Sequence, residues 1–151
     1  MGSLLELAAL LIITTMCVNV VLICGAQNAR RVPTTGFDNP RTTVFIHNDL
    51  GCPSLLWHHC KSKNDDFGVS TIPPNGTWSF DFKPSIFGGT LFFCSFGWEH
   101  EMHYFDIYKQ SRDREFAKFG CTNCHWKIQK NGPCKLNKDT NMYDVCHPWN
   151  S

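Results

Sequence analysis

The sequence carries no surplus of either charge, since 14 Lys and Arg stand against 13 Asp and Glu. Without a basic excess, charge alone gives no footprint for nucleic acid or a membrane surface. Helix-period patterns are missing, as are internal repeats and low-complexity runs. No G-x-S-x-G elbow is present, so the nucleophile turn of an α/β-hydrolase is excluded. Beyond residue 26 no apolar run is long enough to cross a bilayer, which removes any later membrane-spanning helix.

The first 26 residues differ from the rest. Leu4 to Cys24 carries one charge, Glu6, and Cys24 and Ala26 occupy the small-residue positions before a cleavage site. This predicts a signal peptide over 1–26, a secreted protein and no stable membrane insertion after cleavage. A signal anchor is the rival, because the run is long and its leading end lacks positive charge. Cleavage leaves 125 residues with all 14 basic and 12 of the acidic side chains, a net charge of +2 with His neutral. That length suits one domain with a modest core.

Gln27 to Arg41, with Pro33, Gly36 and Pro40, reads as an extended N-terminal arm. The stretch Thr90–Tyr108 organises the domain. Leu91, Phe93 and Ser95 alternate with Phe92, Cys94 and Phe96, the pattern of a strand covered on both faces. Phe105 and Ile107 give the next strand one drier face. Thr42–His47 and Leu55–Cys60 are strands, Val69–Ile72 is a short one, and Pro73-Pro74-Asn75-Gly76 is a strong turn signal. Trp78, Phe80 and Phe82 share a face of Thr77–Lys83. Cys124, Trp126 and Ile128 point inward, opposite His125, Lys127 and Gln129. Asn131-Gly132 signals a hairpin to Cys134–Leu136, and 137–151 reads as a loosely held C-terminal tail. About eight short strands over 42–136 predict an all-β, antiparallel β-sandwich.

Seven cysteines follow the leader: Cys52, Cys60, Cys94, Cys121, Cys124, Cys134 and Cys146. In an oxidising compartment they form a disulfide framework, each bridge contributing roughly 2–4 kcal/mol. The odd count leaves one over, with Cys146 the first candidate to be free or intermolecular and Cys52 the next. Cys121-Thr122-Asn123-Cys124-His125 matches the spacing of haem attachment, but Cys124, His125 and Trp126 alternate as a strand. A redox reading of Cys121 and Cys124 would need a helix N-terminus to activate the thiol. Two unrelated structural half-cystines fit better.

The histidines do not assemble a metal site by pattern. His58 and His59 face opposite sides of a strand, and His100-Glu101-Met102-His103 lacks the helical i, i+4 geometry of H-E-x-x-H. Paired histidines from His59, His100 or His103 have nothing to fix their geometry. Neither a cofactor nor a catalytic residue is assigned. Asn75-Gly76-Thr77 is a sequon for N-glycosylation. Two mixed-charge segments, 61–66 and 109–122, are mobile surfaces that a partner could read, with plain solvation the rival reading, and the residues alone do not choose between them.

The segments VFIHNDL (44–50), HCKSKNDDFG (59–68), TLFFCSFGW (90–98), YFDIY (104–108), CTNCHWKI (121–128) and NGPC (131–134) together resemble the plant self-incompatibility S-protein homologue family. The resemblance runs over 42–136 in order and spacing. It implies a small secreted β-sandwich with structural disulfides and no catalytic site. Cys60, Cys94, Cys124 and Cys134 match its recurrent cysteines and Cys121 a common companion, while Asp65, Asp66 and Gly68 match its charged loop. Cys52, Cys146 and the tail depart from the pattern. The expected pairing is Cys60–Cys134 and Cys94–Cys124, with Cys121 joined to Cys52 or Cys146. The family implies an extracellular ligand recognised by a membrane receptor on a neighbouring cell. A secreted defence, toxin-like or hydrolytic protein is the alternative. The expected reading residues are Lys109, Arg112, Asp113, Arg114, Glu115 and Lys118 first, then Lys61, Lys63, Asp65 and Asp66.

Overall fold

The computed structural model describes residues 41–150. The expected signal peptide and all of the arm before Arg41 lie outside the described residues. Among the described residues nine strands form two layers. They are β1 (Thr42–Asn48), β2 (Leu56–Lys61), β3 (Asp66–Ile72), β4 (Thr77–Phe82) and β5 (Leu91–Trp98). After β6 (Glu101–Lys109) comes one helical turn, α1 (Gln110–Asp113), and then β7 (Asn123–Gln129), β8 (Gly132–Asn137) and β9 (Met142–Cys146). A five-stranded sheet runs β4-β1-β7-β8-β9 and a four-stranded sheet runs β3-β2-β5-β6. The expected all-β sandwich stands. Every pairing of neighbouring strands is antiparallel except β1 with β7, which is parallel. The chain reaches β7 by crossing over from the other layer.

The core follows from side-chain alternation. Val44, Ile46, Phe80, Phe82, Trp126 and Ile128 face inward from one sheet, against Leu56, Phe92, Phe96, Phe105 and Ile107 from the other. Phe105 meets Trp126 edge-on at 5.1 Å, and Phe82 meets Phe92 at 4.4 Å. Each such ring contributes roughly 1.5–3 kcal/mol when fully buried. The outer face of β5 departs from expectation, because Leu91 and Phe93 are exposed. Its apolar repeat predicts cover on both sides, yet of the six alternating residues only Phe92, Cys94 and Phe96 are buried.

The expected loose tail, 137–151, is instead held over its described residues, 137–150. β9 pairs with β8, placing Cys146 opposite Cys134 and Val145 opposite Lys135. Farther on, the Asn150 amide donates to the Tyr104 carbonyl at 2.9 Å, and Trp149 stacks against His103 at 4.9 Å. Apolar residues are sparse in this stretch, so periodicity gives little warning of a strand whose energy comes from pairing and one bridge.

The disulfides correct the expected pairing at every position. They join Cys60 to Cys94, Cys121 to Cys124 and Cys134 to Cys146. Cys60 and Cys94 are directly opposed on β2 and β5, as are Cys134 and Cys146 on β8 and β9, with Cα atoms 4.1 and 4.0 Å apart. Direct opposition puts the sulfurs within bonding reach, whereas a bridge between the layers must span their packing distance of about 10 Å. Cys121 and Cys124 are therefore partners of each other, not unrelated half-cystines. Cys146 is bridged rather than left over, and Cys52 stands outside the three bridges, on an exposed turn.

Candidate recognition surface

Two loops at one edge of the sandwich enclose a groove. Between β2 and β3, Ser62 closes a tight turn: its amide donates to the Asp65 carbonyl at 2.7 Å and its hydroxyl donates to the Asp65 carboxylate at 2.8 Å. The same hydroxyl accepts from the amides of Asn64 and Asp65. Across the groove, residues 83–90 join β4 to β5. There the Ser85 amide donates to Thr90 Oγ1 at 2.8 Å, and the Ser85 hydroxyl accepts from the Phe87 amide. Gly88 and Gly89 both sit at φ 82°, a backbone region costly to residues with a Cβ. This turn pushes Ile86 and Phe87 into solvent, at 80% and 93% exposure.

The cleft between these loops has a volume of about 810 Å³ and an aromatic lining that includes Phe67, Phe82, Phe92 and Phe93. Phe67 is anchored from below by Phe80 at 4.7 Å and by Phe92 at 6.0 Å. The rim is charged: Lys63 and Asp65 stand on one side, with the Arg41–Asp81 ion pair at 2.5 Å also lining the cleft. Lys61 reaches over the Phe93 ring at 5.5 Å. Apolar floor, charged rim and loops tied by their own hydrogen bonds give a surface that binds with little ordering cost.

Of the residues expected to be read, Lys63 and Asp65 line this groove and Lys61 lies beside it. Asp66 belongs to β3. Its carboxylate accepts from the Gly68 amide at 2.9 Å and from His59 Nε2 at 2.6 Å. Those two contacts, the amide first, hold its pKa below the usual carboxylate value.

The segment 109–122 is not the single mobile loop that its polarity suggests. Lys109, Arg114, Glu115 and Lys118 are exposed, but Asp113 is fully buried and Arg112 largely so. Arg112 donates to the Asp113 carboxylate and, at 2.6 Å, to the Asp106 carbonyl. Lys135 of β8 donates to Asp113 from the other layer at 2.5 Å. Asp113 is thus structural and unavailable as a reading surface, and Arg112 is turned largely inward beside it. A charged run in sequence gives no sign of which members find partners inside.

The histidines assort differently from any pairing the sequence suggests. His47 and His125 hydrogen-bond ring to ring at 3.0 Å on the outer face of the five-stranded sheet, and His47 Nδ1 also meets Thr77 Oγ1 at 2.7 Å. The parallel β1–β7 register that sets Phe45 beside His125 creates this contact. It requires a pairing that sequence alternation cannot reveal. Burial first, then the charge of His125 and Lys127, pushes the His47 pKa down to about 4. His58 is sealed against Trp78, whose ring lies 4.4 Å away, and burial lowers its pKa to about 4. Asn75 is exposed in the β3–β4 turn at φ 59°, where its amide donates to the Asn48 carbonyl. Among the described residues no cluster of three or more His, Cys, Asp or Glu is placed to hold a metal ion.

Comparison with known proteins returns one family. The family described as plant self-incompatibility protein S1 matches residues 43–149. S-protein homolog 2 of Arabidopsis thaliana is 50% identical over 115 residues, covering 76% of this chain and 71% of that protein. S-protein homolog 3 of the same plant is 43% identical over 107 residues, covering 71% of each. A solved structure of SPH (self-incompatibility protein homologue) proteins, described as a widespread family of small, highly stable, secreted proteins from plants, aligns with a TM-score of 0.49 at 20% identity. That alignment covers 74% of this chain and 96% of the other. The matched span includes β9 and Trp149, so the segment expected to be a tail lies within the family's domain.

Proposed function

This chain belongs to the plant self-incompatibility protein S1 family, and from that premise we propose that it is a small secreted protein acting as an extracellular ligand for a receptor on a neighbouring cell. Its work is binding rather than turnover. The observation that carries this reading is the groove between 62–65 and 83–90, where Phe67, Phe82 and Phe92 line a cleft and the 83–90 loop at its side exposes Ile86 and Phe87. Surface apolar groups concentrated beside a charged rim mark a contact site for another protein. The groove replaces 109–122 as the first choice of reading surface, because two of that segment's charges are turned inward.

The test is binding of the labelled, purified protein to cell surfaces of the source plant, tissue by tissue. Changing Ile86 and Phe87 together to Ser removes exposed apolar surface without touching the core. Binding should weaken by about tenfold or more, as expected when central apolar anchors are lost, while the thermal midpoint stays in place. Saturable binding that this double variant leaves intact would reject the groove. Absence of saturable binding to any tissue would reject the ligand reading itself.

A further inference from the structure

Where the C-terminal segment crosses β6, a second cavity of about 500 Å³ is lined in part by Phe105, Asp106, Lys109, Arg112, His147 and Trp149. Behind Arg112, which lines it, lies an unevenly charged cluster. Asp113 is buried and takes Lys135 at 2.5 Å and Arg112 at 2.6 Å, so one carboxylate faces two cations. Lys135 is itself sealed from solvent. The Arg112 guanidinium lies 5.0 Å from the centre of the Phe105 ring and 5.1 Å from that of Trp126. Counting Lys109 and Asp106 of the lining, three cations stand against two carboxylates, so one positive charge is left over.

Two polar groups in this wall await an acceptor. Arg112 commits Nε and Nη2 to Asp113 and the Asp106 carbonyl, which leaves Nη1 without an acceptor among the described residues. His147 Nε2 is buried and has no hydrogen-bond partner among them. Burial, then the nearby Arg112 and Lys135, lowers the His147 pKa and so favours the neutral ring, whose Nε2–H tautomer would donate to an anion. Asp106, the carboxylate in the lining, accepts from Asn150 Nδ2 at 3.2 Å.

We propose that this cavity binds a carboxylate, held by Nη1 of Arg112 together with His147 and Lys109 of the same lining. The Nη1 amino group offers charge-assisted donors to a carboxylate oxygen. A single uncompensated charge, with Asp106 at the rim, suits a monoanion better than a phosphate dianion. The carboxylate comes from a free organic acid or from the acidic end of a peptide. The site does not depend on the receptor reading, and it lies among residues separate from the groove.

The test follows the Arg112 side-chain and His147 ring signals by NMR in the purified secreted protein. Acetate, inorganic phosphate, and a short peptide with either a free or an amidated C-terminus are titrated in turn. Saturable shifts with acetate, at a dissociation constant of about 10 mM or tighter, support the site. If the free-acid peptide binds tenfold more tightly than acetate, the source is a peptide; equal affinity indicates a small acid. Ser111→Glu, an exposed change in the same lining, places a competing carboxylate at the cavity and should abolish binding while the fold persists. Failure of acetate to saturate, stronger binding of phosphate or the amidated peptide, or indifference to Ser111→Glu overturns the proposal.

Discussion

Lys135 on β8 donates to Asp113 at the end of α1 across 2.5 Å, with both side chains sealed from solvent. β8 belongs to the five-stranded sheet, whereas α1 continues from the last strand of the other. This contact therefore joins the two layers, which none of the three disulfides does. Two bridges link neighbours within one sheet and the third closes a short local loop. The aromatic core and this ion pair hold the layers together, beside hydrogen bonds such as Asn48 Nδ2 to the Ile72 carbonyl and the Asn150 amide to the Tyr104 carbonyl. Sulfur stiffens each layer separately.

Removing one partner strands the other charge. Asp113→Ala should destabilise the fold by about 3–5 kcal/mol, because Lys135 is left buried without its counterion. Replacing both together, as Asp113→Leu with Lys135→Met, should cost less than Asp113→Ala alone. Urea unfolding of the variants reads the difference. Equal losses in the single and double variants would show that packing, not the stranded charge, carries the effect.

The bridges differ in the length of chain they constrain. Cys60–Cys94 closes a separation of 34 residues, Cys134–Cys146 one of 12 and Cys121–Cys124 one of 3. Loop-closure entropy then assigns them about 4, about 3 and about 1.5 kcal/mol. Replacing each pair with serines should lower stability in that order, as measured by denaturant midpoints. A Cys121/Cys124 variant losing as much as the Cys60/Cys94 variant would sink the entropic account.

Alternation makes most of the sandwich legible. Phe80 and Phe82, Trp126 and Ile128, and Phe92 with Phe96 lie inward as their spacing says. The hidden features depend on partners across the fold. Cys60 and Cys94 share a register that only the β2–β5 pairing sets, and His47 meets His125 only because β1 and β7 run parallel. Asp113 looks like its exposed neighbours Arg114 and Glu115 until Lys135 arrives from the other sheet. The groove is half visible in sequence. Its charged side lies in KSKNDD, while Ile86 and Phe87 look like ordinary members of a loop bounded by glycines.

Acid should destabilise this fold before its carboxylates titrate. His47 and His58 both have folded pKa values near 4, against about 6.5 for an unfolded histidine. Above about pH 6.5 both rings are neutral in either state, and the histidines make no difference to stability. Between about 6.5 and 4 the unfolded chain takes up protons that the folded rings refuse, so stability falls as pH falls. Below about 4 the folded rings protonate too and the loss levels off. His58, with no solvent exposure, accounts for up to about 3 kcal/mol of this. Half-exposed His47 contributes less, since solvent screens part of its cost. The causes also differ: burial acts first on both, but His125 and Lys127 add to it at His47. His58→Gln should therefore flatten much of the decline, and His125→Gln should raise the His47 pKa toward its ordinary value. Urea unfolding at several pH values, with ring titrations by NMR, reads both. Stability that stays level from about pH 6.5 to 4, or a His58 ring titrating near the ordinary value of about 6.5, would mean that these imidazoles are solvated and that burial does not set their charge.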